Sequence, residues 1–241
     1  MKNNITPDWI MACVSRAKLL TLKKDYKRAI TIFSQLIENI DYQSPFITIL
    51  LNERATLYSL EGDWDSAISD IKKCIVINPD NGGNFLQMGV YIAWKHFYSN
   101  KFRIDAINEE LKLSNDYYKE CLKRDPTNIT AWLNIIETYL FLMEWDNALS
   151  YLGMSKSYLV NKENKLIWIW LTCISLALAG EPVEQPDIDL LSDSSEKYET
   201  SHDPKQIDSV FSELERIKFY PERLRLANKF HLLYKNLIGV N

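Results

Sequence analysis

The chain has 241 residues, 46% hydrophobic and 25% charged, enough apolar material for a sizeable core and too much for a globally disordered chain. A formal net charge of −4 and a pI of about 5.5 argue against any overall pull toward nucleic acid or anionic membrane. With 7 glycines there are too few tight-turn formers for an all-β fold.

Residues 1–9 read as a lead-in in which Pro7-Asp8 supplies a turn and a helix start. From Ile10 to Leu22 apolar residues recur at helical spacing, at Ile10, Val14, Ala17 and Leu20. Lys23-Lys24-Asp25 breaks that pattern. A second helix runs from Tyr26 to about Ile40, with Ala29, Ile30, Phe33, Leu36 and Ile37 on one face. The next pair spans Phe46–Leu60 and Trp64–Ile77. Between its helices Gly62 can take the left-handed conformation that closes a helix, and Asp63 can cap the next one. Pro79 lacks a backbone N–H and stops the second helix.

Helix is then expected from about Asn84 to Tyr98, a break at Ser99-Asn100-Lys101, and a long helix from about Ile104 to Lys123. Thr130–Leu142 and Trp145–Leu159 form a fourth pair, and Lys165–Ala179 begins a fifth unit. Residues 181–203 carry eight acidic residues and one lysine with no helical period, and read as an acidic linker or loop. Two last helices are expected over Pro204–Lys218 and Glu222–Leu237, with Pro204 and Pro221 at their starts.

The chain repeats itself. Lys24-Asp25-Tyr26-Lys27-Arg28-Ala29-Ile30 parallels Gly62-Asp63-Trp64-Asp65-Ser66-Ala67-Ile68, and Glu144-Trp145-Asp146-Asn147-Ala148-Leu149 does so again. Arg124-Asp125-Pro126 parallels Ile77-Asn78-Pro79. Ala29 and Ala67 lie 38 residues apart, Pro79 and Pro126 47 apart, and Ala67 and Ala148 81 apart. The third unit is therefore 13 residues longer than a 34-residue repeat, through longer helices or an irregular loop near 99–104.

On these residues the chain resembles the tetratricopeptide repeat (TPR) family, whose 34-residue unit is an antiparallel helix pair with small residues at the helix contact and proline at its end. Ala55, Tyr58, Gly62, Ala67 and Pro79 fit that pattern in the unit at about 48–81. Trp132, Tyr139 and Ala148 fit it at 129–162, where Ile136 replaces the small residue. The unit at 10–43 keeps Ala17, Ala29 and Phe33, and the one at 82–128 keeps Gly89, Tyr118 and Pro126 around its insertion. The resemblance covers about residues 10–180, with 165–180 a half unit, and implies an all-α, right-handed superhelical solenoid closed by a helical C-terminal cap over 204–241. Alanine at the contact lets two backbones approach closely, and Trp64 and Trp145 are large enough to fill the junction between neighbouring units.

The resemblance also implies that the first helix of each pair lines a groove that binds a peptide or helix of another protein. Groove positions here are Val14, Lys18, Asn52, Thr56, Ser59, Leu86, Val90, Trp94, Leu133, Glu137 and Phe141. This mixed, largely apolar lining suits an amphipathic helix or an extended apolar segment. The competing reading has Trp94 and Phe141 packing against the last helices, folded back into the groove. One TPR subgroup grips the C-terminal carboxylates of heat-shock chaperones with a Lys/Asn/Arg clamp. The corresponding positions are Val14, Lys18, Glu53, Gly83 and Gln87, which do not reproduce it, and Glu53 would repel a carboxylate.

Other chemistry has little support. His96, His202 and His231 are scattered, and there is no H-E-x-x-H, G-x-S-x-G or phosphate-binding glycine loop. No catalytic residue, metal site or cofactor is expected. Glu109-Glu110 reads as a solvated helix face, and Asp193-Ser194-Ser195-Glu196 as an acidic linker run. Cys13, Cys74, Cys121 and Cys173 lie far apart inside helical patterns and read as small buried hydrophobes. The N-terminus has no signal-peptide core. The longest apolar run, Leu166–Gly180, is 15 residues, short of the roughly 18–20 that span a bilayer. The reducing cytoplasm is the expected compartment.

In the tail, Arg216, Lys218, Arg223, Arg225, Lys229 and Lys235 lie beside an apolar stripe of Leu226, Phe230, Leu233, Tyr234 and Leu237. A capping helix with its charges in water is the favoured account. Contact with nucleic acid or an acidic partner, or with the acidic linker, is the alternative. The functional expectation is a protein-interaction adaptor or scaffold, alternatively a dedicated chaperone for a secreted or assembling partner. RNA binding and an enzyme's regulatory subunit are the other classes. The acidic pI and the absence of a regular basic lining count against RNA, and self-association is left open.

Overall fold

A computed structural model describes residues 6–99, 108–193 and 204–240. All regular elements among them are helical. The chain divides into two compact units, residues 1–95 and 96–241.

The first unit contains α1 (Pro7–Leu22), α2 (Tyr26–Asn39), α3 (Ile47–Leu60), α4 (Trp64–Ile77) and most of α5 (Gly82–Ser99). Side-chain oxygens start three of these helices. Thr6 accepts from the Trp9 N–H, Asp25 from Arg28 and Asp63 from Ser66. Gly62, at φ +77°, closes α3, as its position in the sequence implies. Lys24 takes the corresponding place after α1 at φ +59° without glycine's freedom. Helix α1 packs on α2, α2 on α3 and α3 on α4. Ala17, Ala29, Ala55 and Ala67 are all fully buried, so the small residues do sit where the helices meet. Ile10, Val14, Phe33, Leu36, Leu50 and Leu57 fill the space around them. Trp64 packs at 6.4 Å from Tyr91 and 6.1 Å from Trp94, filling the α4–α5 junction.

One feature of this core is polar. Asp70 on α4, 2% exposed, receives Arg54 Nε and Nη2 from α3 at 2.7 and 2.8 Å. Arg54 Nη1 reaches Ser34 on α2 at 2.9 Å, and Lys73 Nζ reaches Asp70 at 3.1 Å. The network ties three helices together.

The second unit contains α6 (Glu109–Arg124), α7 (Ile129–Phe141), α8 (Trp145–Ser155) with a 3-10 turn over Lys156–Tyr158, α9 (Lys162–Ala179), α10 (Gln185–Ser192), α11 (Lys205–Arg216) and α12 (Pro221–Ile238). Helix α6 starts at Glu109 with Asn108 outside helical geometry, later than the expected Ile104. The expected loop near 99–104 lies almost wholly outside the described residues. Helix α7 packs between α6 and α8, and α9 packs on α7 and α8. Helix α10 stands where the sequence reading has an acidic linker without helical period. Pro186 in its first turn starts it, and Gln185 Nε2 donates to Asp189 Oδ1 at 2.7 Å.

The fifth unit, a half repeat in sequence, is completed from far along the chain. Helix α12 lies antiparallel on α9. The Tyr234 ring stacks on Trp170 at 4.3 Å, and at the other end Arg223 Nη1 donates to the Ala179 carbonyl at 3.0 Å. That contact caps the α9 C-terminus with a cation, beside Gly180 at φ +84°. Helix α10 packs on both α9 and α12, whereas α11 packs on α12 and on α7.

The tail stripe is corrected at Leu226, which is 40% exposed. The buried stripe is Leu224, Ala227, Phe230, His231, Tyr234 and Leu237, and Leu226 falls outside its phase. Three of the tail's cations have specific partners: Arg223 at α9, Arg216 at Glu213 and Lys235 at Asp208. Trp145 packs on Phe219 at 6.1 Å, in the turn between α11 and α12.

Candidate partner-binding face

In the first unit the first helices of successive pairs stand side by side. Lys18 Nζ on α1 pairs with Glu53 on α3 at 3.1 Å. Asn52 Nδ2 on α3 donates to Asn84 Oδ1 on α5 at 3.4 Å, and the hydroxyls of Thr56 and Tyr91 meet at 3.4 Å. Burial pushes the Tyr91 phenol above its ordinary pKa, so it stays protonated there.

The side chains beside these contacts follow one pattern. On α1, Met11, Ser15, Lys18 and Leu22 recur at i, i+4, i+7 and i+11, a single helical face. Ile49, Glu53, Thr56 and Leu60 repeat that stripe on α3, each 38 residues later. In both helices the ends are apolar and the middle is polar. The ends are exposed: Met11 at 53%, Leu22 at 81%, Ile49 at 51% and Leu60 at 52%. On α5 the equivalents 34 residues further on are Gly83, Gln87, Val90 and Trp94, the last three half-buried. Asn52 Oδ1 and Gln87 Oε1 are buried and accept no hydrogen bond.

In the second unit the equivalent stripe is buried at one end only, with Thr130 exposed and Asn134 and Glu137 half-buried. The stripe on α7, 47 residues after that of α5, is Thr130, Asn134, Glu137 and Phe141. Phe141 is buried, with its ring 4.6 Å from that of Phe97. Nine of the thirteen α7 residues are buried, and the other four include Thr130, Asn134 and Glu137 of this stripe. Helix α11 packs on it.

No family model matches the chain, and no curated protein matches it. Among solved structures, the MamA protein superposes with a TM-score of 0.56 at 14% identity, covering 88% of this chain and 95% of MamA. YrrB, described as a TPR protein with an unusual peptide-binding site, gives 0.53 at 12% identity, with 90% of each chain covered. TTC0263, a thermophilic TPR protein of Thermus thermophilus, gives 0.53 at 13% identity over 93% of this chain and 98% of its own. The chain has the TPR fold.

Within the TPR fold the residues expected to line the groove fall into four groups. Lys18, Thr56, Val90 and Trp94 lie on the stripes of the first unit. Asn52, Ser59 and Leu86 flank them, with Asn52 turned toward α5 and the Ser59 hydroxyl donating to the Thr56 carbonyl at 2.7 Å. Val14, Leu133 and Phe141 are buried, Val14 in the α1–α2–α3 core. Glu137 is half-buried near Tyr118, whose phenol is pushed above its ordinary pKa, chiefly by burial. Trp94 packs on Trp64. The exposed ends Met11, Leu22, Ile49 and Leu60 are absent from that expectation. The signal that could have found them is the 38-residue offset itself, applied to every exposed position of α1 rather than to the small residues alone.

Among the described residues no group of three or more His, Cys, Asp or Glu could hold a metal ion. No helix among them is long and apolar enough to cross a membrane. Burial holds the thiols of Cys74 and Cys173 neutral, with pKa values pushed up to about 12.

Proposed function

We propose that the chain is a non-enzymatic interaction scaffold that holds a segment of a partner protein on the first-helix face of its first unit. The observation that carries this reading is the pair of matched stripes with large apolar residues left in solvent at both ends. Four such side chains at repeat-equivalent positions contribute little to the unit's own core, and they suit apolar anchors on a partner. The Lys18–Glu53 pair between them can set the partner's register through its charges. The partner is a peptide or amphipathic helix of another protein, and the expected setting is the cytoplasm.

The test is affinity capture from the host followed by titration of the captured protein against purified wild type and the Leu22→Asp/Leu60→Asp variant. Both positions are exposed, so the variant should melt as wild type does. Its affinity should fall at least tenfold. Equal affinity for the two forms would remove the face from the function.

A further inference from the structure

A second stripe on α1 has counterparts whose burial is known. Adding the 38-residue offset to Trp9, Ala12, Arg16 and Leu19, one side of α1, gives Ile47, Leu50, Arg54 and Leu57 on α3. On α3 the three apolar residues are buried. Leu50 and Leu57 pack into the core of the α1–α2 pair, and Ile47 packs beside Ile37 and Ile40 of α2. Arg54 spans the same junction, reaching Ser34 on α2 at 2.9 Å. On α5 the stripe continues as Asn84, Met88 and Tyr91, again buried. There Asn84 meets Asn52 of α3, and Tyr91 meets Trp64 of α4. This side of a first helix is therefore the edge by which one pair stacks on the pair before it.

On α1 the same edge lies in solvent. Trp9 is 47% and Leu19 60% exposed, and Ala12 and Arg16 are exposed as well. It lies about a third of a turn around α1 from Met11, Ser15, Lys18 and Leu22. What fits such an edge is the edge of another helix pair, because that is what covers it on α3 and α5. The last pair, α9 with α12, carries α10 across both of its helices. Head-to-tail stacking needs an open edge at each end, whereas one edge meeting itself about a two-fold axis needs a single edge and closes at two. The stripe has the spacing for this. When two α1 helices cross antiparallel level with Val14, Trp9 of each copy comes opposite Leu19 of the other, and Arg16 opposite Ala12. Apolar then meets apolar, and each cation faces a small neutral residue.

We propose that this edge of α1 is a docking surface for a second copy of the chain, with the two α1 helices packed antiparallel about a two-fold axis. This goes beyond the open first-helix face and does not depend on it, since the two stripes share no residue.

Sedimentation equilibrium of the full chain tests it. Wild type should form a concentration-dependent dimer and no larger species. Ala12→Glu/Leu19→Glu should raise the dissociation constant at least tenfold, whereas Leu22→Asp/Leu60→Asp should leave it unchanged. Both edge positions are exposed, so the edge variant should melt as wild type does at a dilution where each is monomeric. Wild type that stays monomeric up to its solubility limit would overturn the proposal. So would oligomers larger than two, a dimer that survives the edge substitutions, or one that Leu22→Asp/Leu60→Asp dissolves. Hydrogen exchange on wild type gives a reading that no substitution disturbs. Amides of α1 should gain protection as the concentration is raised while those of α12 do not, and unchanged protection in α1 would overturn the proposal as well.

Discussion

The polar network in the first unit's core allows a prediction with a definite magnitude. Replacing Asp70→Asn keeps the side chain's shape but removes the charge facing Arg54. The Arg54 side chain is 12% exposed, and its Nε lies 2.7 Å from the carboxylate. Burial acts to lower its pKa, but the hydrogen bond and charge of Asp70 outweigh that and hold it above the ordinary value. At an effective dielectric constant of about 20, two unit charges about 4 Å apart attract by about 4 kcal/mol. Leaving one member of a buried pair without its counter-charge costs about 3–5 kcal/mol. The introduced carboxamide would also turn an N–H toward donors that have nowhere else to go. Urea unfolding, with hydrogen exchange in α3 and α4 to locate the loss, should therefore show a drop of about 3–5 kcal/mol in the first unit. Replacing both partners, Arg54→Met with Asp70→Leu, should recover most of it, because the desolvation cost disappears along with the attraction. A loss below about 1 kcal/mol for Asp70→Asn would show that water reaches the pair and that the network is a surface ion pair in energetic terms.

Four further outcomes follow from local geometry. Ala67→Leu, at a fully buried helix contact, should overpack the α3–α4 interface and cost about 1–3 kcal/mol in urea unfolding. Lys24→Gly and Met143→Gly, both at φ +59°, should each stabilise by about 0.5–1 kcal/mol in thermal melts, since relief of left-handed strain exceeds glycine's added chain entropy. Gly180→Ala should lower the melting temperature more than Gly62→Ala, although both have positive φ. A Cβ at 180 would lie 2.5 Å from Arg223 Cζ and dislodge the α9 cap, whereas one at 62 meets nothing within 4 Å. Stability should also fall as pH rises above 9. The Cys74 and Cys173 thiols stay protonated up to about 12 in the folded chain but ionise from their ordinary 9.0 once unfolded, so the unfolded state binds fewer protons. Each thiol adds at most about 1.4 kcal/mol per pH unit, and Cys173→Ala should flatten the slope measured between pH 9 and 10.5.

Much of the fold was legible because its determinants are local. Helical period, the Asp25 and Asp63 caps, Gly62 and Pro79 each act within a few residues, and the structure places the helices they mark close to the expected bounds. Helix α10 was not legible, because an eight-residue acidic segment has too few apolar positions to show a period and is held by packing on α9 and α12. The pairing of α9 with α12 was hidden for a different reason. Forty-one residues separate the two helices, and only tertiary contact reveals which later helix completes the half unit. The Arg54–Asp70 network shows the same limit, since its members are 16 residues apart on different helices and each alone reads as a solvated charge. For the site, the repeat offset was enough to align Lys18 with Thr56 and Val90, but not to separate open positions from covered ones. Phe141 aligns with Trp94 in the repeat, yet it is buried because of what packs near α7, which repeat register does not encode.

That contrast bears on what the C-terminal helices are for. A stack of helix pairs exposes the apolar side of its last member, so an end cap is expected on physical grounds. Helices α10 and α12 meet that need: α12 buries Phe230, Tyr234 and Leu237, α10 buries Leu191, and Gln185 and Asp189 remain exposed. Helix α11 packs on α12 and on α7, a helix already paired with α8 and flanked by α6 and α9. It buries Ile207, Val210, Phe211 and Leu214, with Phe211 edge-on against His231 of α12. The same repeat register thus leaves Leu22 and Leu60 in solvent but buries Phe141 beside Phe97, so exposure at equivalent positions is set by what each helix packs against and not by register.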